Sequence, residues 1–197
     1  AGLAFLHHDQ VVAGGVAVQP FVQLSGNTLY TIPNPLDSAS PFLYAESFPK
    51  IQGARSAGVP SLHLAHPLGP HTTLGFSAVV PFGQSTDWAP SSAKRYEATY
   101  SKLTTLDFSP ELGSQLTDSF NAGFGFDFEY ATVTFNQVIG APSLLSTLDI
   151  APNALDSASI NQGTSFDLGF HAGLLWHINQ DHTRLGLNYQ SPINQTF

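Results

Sequence analysis

The sequence predicts an all-β protein, part of an antiparallel transmembrane β-barrel, and three observations carry that prediction. Apolar residues recur at every second position in run after run. Several runs are far longer than the strands of soluble domains, and the connections between them alternate long and short. Seven strands are expected, near 11–24, 59–68, 72–82, 100–116, 120–135, 164–178 and 184–193, forming one partial barrel domain over residues 1–197.

Composition sets the frame. The chain has 197 residues, with 14 acidic side chains against 6 basic ones and a net charge of −8. That balance excludes a nucleic-acid partner, which needs a basic footprint. Charged residues make up only 10% of the chain, where about 25% is usual for soluble domains. Cysteine is absent, so a disulfide scaffold, a thiolate metal site and a Cys nucleophile are excluded. No run of 18 apolar residues exists, hence no transmembrane helix is expected. The chain has no Met and no charged-then-apolar leader at Ala1, and reads as a mature or excised piece.

In the first run Val16, Val18, Pro20, Val22 and Leu24 alternate with Gly15, Ala17, Gln19 and Gln23, with Phe21 out of phase. In the second, Leu62, Leu64 and Leu68 alternate with Ser61, His63 and Ala65, and in the third Leu74, Phe76, Ala78, Val80 and Phe82 alternate with Gly75, Ser77, Val79 and Pro81. The fourth sets Leu106, Phe108, Pro110 and Leu112 against Asp107, Ser109, Glu111 and Gly113. The fifth places Phe124, Phe126, Phe128 and Tyr130 between Gly123, Gly125, Asp127 and Glu129. The sixth runs Phe166, Leu168, Phe170, Ala172, Leu174, Trp176 against Asp167, Gly169, His171 and Gly173, and the seventh holds Leu185, Leu187 and Tyr189. Successive side chains of a strand point to opposite faces, so each run has one oily face and one small or polar face.

A tilted strand crosses a bilayer in about 9–11 residues, and the fifth and sixth runs exceed that. The connections Ser25–Gly58, Gly83–Thr99 and Asn136–Gly163 are long, whereas Gly69–His71, Thr117–Ser119 and Asn179–Thr183 are short. Outer-membrane barrels combine long external loops with tight periplasmic turns. A soluble β-sandwich also has one apolar face per strand, but its other face would be rich in Lys, Glu and Thr. Here that face is Gly, Ser, Asn and His with occasional acids, which suits an enclosed lumen.

Three segments resemble a known family, the FadL-type outer-membrane transporters of long-chain fatty acids, which include hydrocarbon channels. Leu74–Trp88 (LGFSAVVPFGQSTDW) is similar to the family's third strand, Lys94–Leu103 (KRYEATYSKL) to the opening of its fourth, and Gly173–Ile193 (GLLWHINQDHTRLGLNYQSPI) to a strand, turn and strand further on. With Gly14–Gly26, the likeness is collinear over nearly the whole chain. It implies a 14-stranded barrel plugged by an N-terminal hatch, of on the order of 350 residues. This chain would then be about half, lacking the hatch and the later strands, with Ala1 matching the end of the hatch's Asn-Pro-Ala motif.

The resemblance also implies a lateral opening in the third strand, at Val80, Pro81, Phe82 and Gly83. The residues agree: Pro81 has no N–H for a ladder bond and Gly83 permits unusual dihedrals. The alternative is that Pro81 ends the strand at the rim. In the third long loop, Leu144, Leu145, Leu148, Ile150 and Leu155 form an apolar set, with Ser143 expected to cap a short helix and Leu144, Leu145 and Leu148 on one face. An apolar loop patch marks a binding site, and the family's corresponding loop docks the fatty acid; loop self-packing is the competing reading. Five of the six basic residues, Lys50, Arg55, Lys94, Arg95 and Lys102, lie in or beside the long loops, facing lipopolysaccharide phosphates or ligand carboxylates. Arg95 is the expected carboxylate contact.

Eight His are present, but His63 and His66 fall on opposite faces of a strand, and His171 and His177 share a face about 20 Å apart. His7-His8-Asp9 has ligand-like character only in sequence. No metal site, cofactor or catalytic residue is expected. A barrel lipase or phospholipase would need Ser and His together on the lipid-facing wall; His66 is there without an evident Ser, and no G-x-S-x-G elbow exists. A structural or adhesive barrel is the third possibility. The expectation is a monomeric, multi-pass protein of the Gram-negative outer membrane, taking up long-chain fatty acids or other hydrophobic small molecules without an energy source.

Overall fold

The computed structural model describes residues 1–37, 39–178 and 183–197. Its ten strands are β1 (Gln10–Val18), β2 (Gln23–Ile32), β3 (Phe42–Gln52), β4 (Ala57–Pro67), β5 (Thr72–Val79), β6 (Gly83–Asp87), β7 (Tyr100–Thr117), β8 (Phe120–Ile139), β9 (Ser157–Ile178) and β10 (Thr183–Gln190). One helix, α1 (Pro142–Thr147), and a 3-10 turn over Gly2–Phe5 complete the fold. No helix among the described residues is long and apolar enough to cross a membrane.

The main sheet runs β1-β4-β5-β7-β8-β9-β10, every pairing antiparallel, with β6 also on β7. It curls into half of a barrel wall. Seven strands line up across it, but the first and the seventh end earlier than expected. The first run stops at Val18, because Pro20 cannot give a ladder N–H; Gln23–Ile32 pairs instead with β3 in a separate hairpin. That hairpin fills most of the long connection expected over 25–58. The seventh strand ends at Gln190, before Pro192. Of the turn expected over 179–183, residues 179–182 lie outside the described residues.

Register fixes the faces. Leu74, Leu112, Phe124, Ala172 and Tyr189 form one row across five strands, and Phe76, Pro110, Phe126 and Phe170 form the next. These outward side chains are exposed although large and apolar: Phe126 is 52% exposed and Leu187 70%. A contiguous apolar surface of this size fits lipid and would be unstable in water. In β1 the phase differs from expectation. Val16 and Val12 sit opposite Val59 and His63, on the same face as Ser61, Ser77 and Ser109, so Val12, Val16 and Val18 point to the lumen and Val11 and Ala13 point out.

The oily band has two edges. At the short-turn end Phe120 and Trp176 stack, their centroids 5.7 Å apart; at the other end Tyr130 pairs with Leu106 and Phe166. Ten residues at about 3.3 Å each, tilted by about 40°, span roughly 25 Å, the height of a barrel's apolar belt. Beyond Tyr130 the outward positions turn polar: Thr104 and Lys102 on β7, Thr132 and Thr134 on β8. The strands of 18, 20 and 22 residues at β7, β8 and β9 therefore stand well clear of the belt on the loop side.

The inner face is built of small and polar residues. The Gly2–Phe5 turn lies against it, and a Cβ added at Gly75, Gly113 or Gly123 would collide with Leu3 or Ala1. Here glycine is a requirement of close approach.

Candidate functional site: an interrupted wall

β5 and β6 lie along the same partner, β7, but they are not continuous. Val79 pairs with Asp107 and Gly83 with Thr104, so Val80, Pro81 and Phe82 face only Leu106 and Thr105. Three residues against two make a bulge. Thr105 holds it: its backbone N–H donates to the Phe82 carbonyl at 2.9 Å, and its hydroxyl lies 2.9 Å from the Phe82 nitrogen. Pro81 has no donor to lose, so the bulge leaves none of its own unmet.

The other side of the break is open. On β4, residues Ser61–Pro67 pair with β5, whereas Ala57–Pro60 pair only with β1. β6 forms a ladder with β7 and otherwise has only the isolated bridge at Thr86. The result is a window between β4 and β6. Its lower edge is the Ser61–Val79 pair; its upper edge is an isolated bridge between Ala54 and Thr86, reinforced by an ion pair of 3.0 Å between Arg55 and Asp87. A cavity of about 540 Å³ occupies the window, with Val18, Val22, Val59, Val80 and Leu103 on its apolar side and Arg55, Tyr100 and Lys102 at its polar margin. Gly83, Thr104 and Lys102 share the outward face, just beyond the belt edge at Leu106 and Tyr130.

Above the window the loops are fastened to one another. Gly53 N–H donates to the Val22 carbonyl at 3.1 Å, and Asp87 N–H to the Gly53 carbonyl at 3.0 Å. A side chain at Gly53 would strike the Trp88 indole, so that approach needs glycine. The hairpin β2–β3 leans on the second and third loops: Tyr30 Oη donates to the Ala93 carbonyl at 2.7 Å, and Ser143 Oγ to the Tyr30 carbonyl at 2.9 Å.

At the centre of this junction Arg95 is 7% exposed. Expected to meet a ligand carboxylate, it is instead committed to two carboxylates of its own chain, Glu46 at 3.0 Å and Asp156 at 3.3 Å, and it stacks on the Tyr96 ring. A nearly buried guanidinium needs compensation, and the loops provide it locally. Burial, together with the hydrogen bond it donates to Asp156, pushes the Tyr96 hydroxyl up to about 12. Arg95 is a fastener joining β3, the 91–98 segment and the third loop.

The third loop also departs from expectation in two respects: Ser143 is not a cap, and Leu145 does not share a face with Leu144 and Leu148. α1 starts with Pro142 at its first turn, and Ser143 does not cap it because its hydroxyl is turned to Tyr30. Leu145 is buried against the hairpin side, while Leu144 and Leu148, one turn apart, face out with Ile150 and Leu155. Four of the five apolar residues are therefore exposed and the fifth is buried.

Inside the half-barrel, His171 Nδ1 lies 2.8 Å from Asp127, and Ser109 Oγ donates to Asp107 at 2.6 Å. Ser77 Oγ is 3.1 Å from His63 and 3.3 Å from Glu111. This pair faces the lumen, and its carboxylate contacts the serine rather than orienting the imidazole, so it lacks the order of an activated nucleophile. His66 pairs with Asp9 at 2.6 Å on the exposed outer face. No group of three potential ligands able to hold a metal exists among the described residues.

The frame of the break was not legible in the sequence. Val18, Val59, Arg55 and Tyr100 come from strand ends and a loop distant in sequence. The signal available was Pro20 shortly after Val18, and Gly58-Val59-Pro60 opposite it.

Comparison with known proteins agrees with this architecture. A curated relative, the long-chain fatty acid transport protein of Escherichia coli O6:H1 (strain CFT073), is 23% identical over 197 aligned positions, covering 94% of this chain and 41% of the relative. The crystal structure of a Pseudomonas aeruginosa FadL homologue superposes with a TM-score of 0.72 at 19% identity, over 98% of this chain and 46% of that one. The Ralstonia pickettii toluene transporter TbuX gives 0.57 at 16% identity, over 74% and 44%. The chain thus spans less than half the length of these relatives. The family described as outer membrane protein transport protein (OMPP1/FadL/TodX) matches residues 1–197 throughout, and this chain, an antiparallel half-barrel with an interrupted wall, belongs to that family of outer-membrane transport proteins.

Proposed function

We propose that the protein of which this chain forms part spans the Gram-negative outer membrane several times and takes up long-chain fatty acids by passive diffusion. The ligand first rests on the apolar patch of Leu144, Leu148, Ile150 and Leu155. It then enters the barrel and leaves sideways through the window at Val80, Pro81, Phe82 and Gly83, a plug blocking the straight path. The observation that carries the reading is the window itself, a stretch of wall without strand pairing, apolar on its sides and placed at the outer edge of the lipid belt.

Supporting it, each buried CH₂ contributes about 0.8 kcal/mol, so a long acyl chain gains enough in such a passage to be captured from dilute solution. The relatives' names cover both acids and toluene; the acid is favoured here because the window's polar margin is cationic. Uptake without hydrolysis is the corresponding non-enzymatic reading. Lipid and lipopolysaccharide would surround a monomeric barrel.

The test is uptake of radiolabelled oleate by a Gram-negative strain deleted for its own fatty-acid transporter and carrying the complete gene. Saturable uptake and restored growth on oleate are expected. Growth no better than the empty strain, with the protein present in the outer membrane, would overturn the proposal.

A further inference from the structure

We infer that Lys102 is the headgroup receptor of the window: it holds the carboxylate of an amphiphile whose tail lies in the gap between β4 and β6, and so selects acids over neutral chains of equal length. The inference rests on the uptake reading above and names the ligand chemistry of that same passage.

Four observations converge. Lys102 lies on the outward face of β7, opposite Ser85 of β6 and two residues from Thr104, which pairs with Gly83 at the break. It lines the window cavity together with the apolar Val59, Val80 and Leu103. Unlike Arg55, which is paired with Asp87, and Arg95, which is paired with Glu46 and Asp156, its ammonium has no ion pair among the described residues. Its height is the fourth point: four residues past Leu106 and Tyr130, it stands at the interfacial level where an amphiphile in the outer leaflet keeps its charge.

The lumen supplies the complementary field. On the inner face at and below the break stand Asp107, Glu111, Asp127, Glu129 and Asp167, and Arg184 is the one arginine, at the short-turn end against the Phe5 ring. A carboxylate moving down the wall meets repulsion in a confined space of low effective dielectric. One moving outward meets Lys102. Charge therefore favours the sideways route for an anion and is indifferent for a neutral chain.

The shared chemistry, an anion at Lys102, has a second source in lipopolysaccharide phosphate, and the experiment separates the two. Uptake of radiolabelled palmitic acid and of hexadecan-1-ol is measured in cells carrying the complete protein or its Lys102→Met, Lys102→Arg and Lys102→Glu variants, at matched outer-membrane levels. Lys102→Met is expected to raise the half-saturating concentration for the acid about fivefold, the upper range for an exposed ion pair. Lys102→Arg should restore it, Lys102→Glu should weaken acid uptake further, and the alcohol should be unchanged throughout. Equal effects on acid and alcohol, as a lipopolysaccharide contact or a folding defect would give, overturn the inference, and so does no effect on either. Wild-type cells that carry neither compound overturn the uptake reading, and this inference with it.

Discussion

Deleting Pro81 should close the wall. At present three residues, Val80 to Phe82, oppose two on β7, which reverses the phase: Val79 faces the lumen and Gly83 faces out, four positions later. Removing one residue brings the count to two against two, so β5 and β6 become one strand in register with β7. The β4–β5 pairing then extends past Ser61–Val79, and Pro60, Val59, Gly58 and Ala57 acquire partners across the former window. Four new pairs amount to about three or four ladder hydrogen bonds, since Pro60 has no N–H. At about 0.5–1.5 kcal/mol each, the deletion stabilises the barrel by about 2–5 kcal/mol, less whatever the shifted loop above it loses. Uptake should nevertheless fall to background. The assays are thermal unfolding of the purified protein in detergent and oleate uptake in cells. A variant that melts no lower and transports at the wild-type rate would refute the reasoning, because the window would then be irrelevant to passage.

Two further outcomes follow from the loops. Arg95→Met leaves Glu46 and Asp156 facing each other without their cation, and should cost about 2–3 kcal/mol, below the usual figure for a buried pair because both carboxylates keep some solvent. The hairpin should loosen, read as faster tryptic cleavage after Lys50 and Arg55, with Glu46→Gln in the same chain partly restoring protection. Replacing Leu144 and Leu148 together by Ser should raise the half-saturating concentration for oleate about tenfold, at about 0.7 kcal/mol lost for each side chain, with the maximal rate and the melting temperature unchanged because neither residue is buried.

The barrel wall was legible because its signal is local. Alternation from Phe120 to Tyr130 and from Phe166 to Trp176 is imposed by lipid on one side and lumen on the other, and nothing tertiary competes with it. Where both faces of a strand are apolar or small the phase is undetermined, and β1, with Val11, Val12, Ala13 and Val16, was read one residue out. The hairpin β2–β3 was missed for a related reason. Its inner face, Tyr30, Tyr44 and Glu46, is half-polar because it packs on Arg95 and Tyr96, so it shows no clean period.

The site was legible in part. Pro81 and Gly83 announce a break from their own chemistry, and the apolar third loop announces a patch. The pairing of Arg95 was not legible because its partners, Glu46 and Asp156, lie 49 and 61 positions away; a basic residue in a loop gives no sign of being already neutralised. Lys102, by contrast, stood in the sequence only as one of five basic residues in or beside the long loops. Only the pairing of β6 with β7 places it beside a gap.

Because this chain contains no cysteine, the window can be tied shut with no competing thiol from the chain itself, any cysteine elsewhere in the complete protein being replaced by serine. Gly58→Cys and Gly83→Cys, one on each side of the gap, joined by a cleavable thiol-specific cross-linker, permit one direct measurement: oleate uptake before cross-linking, after it, and after cleavage. Passage through the side of the wall predicts full uptake, then loss to background, then recovery. Uptake that continues unchanged across the cross-linked gap would contradict it.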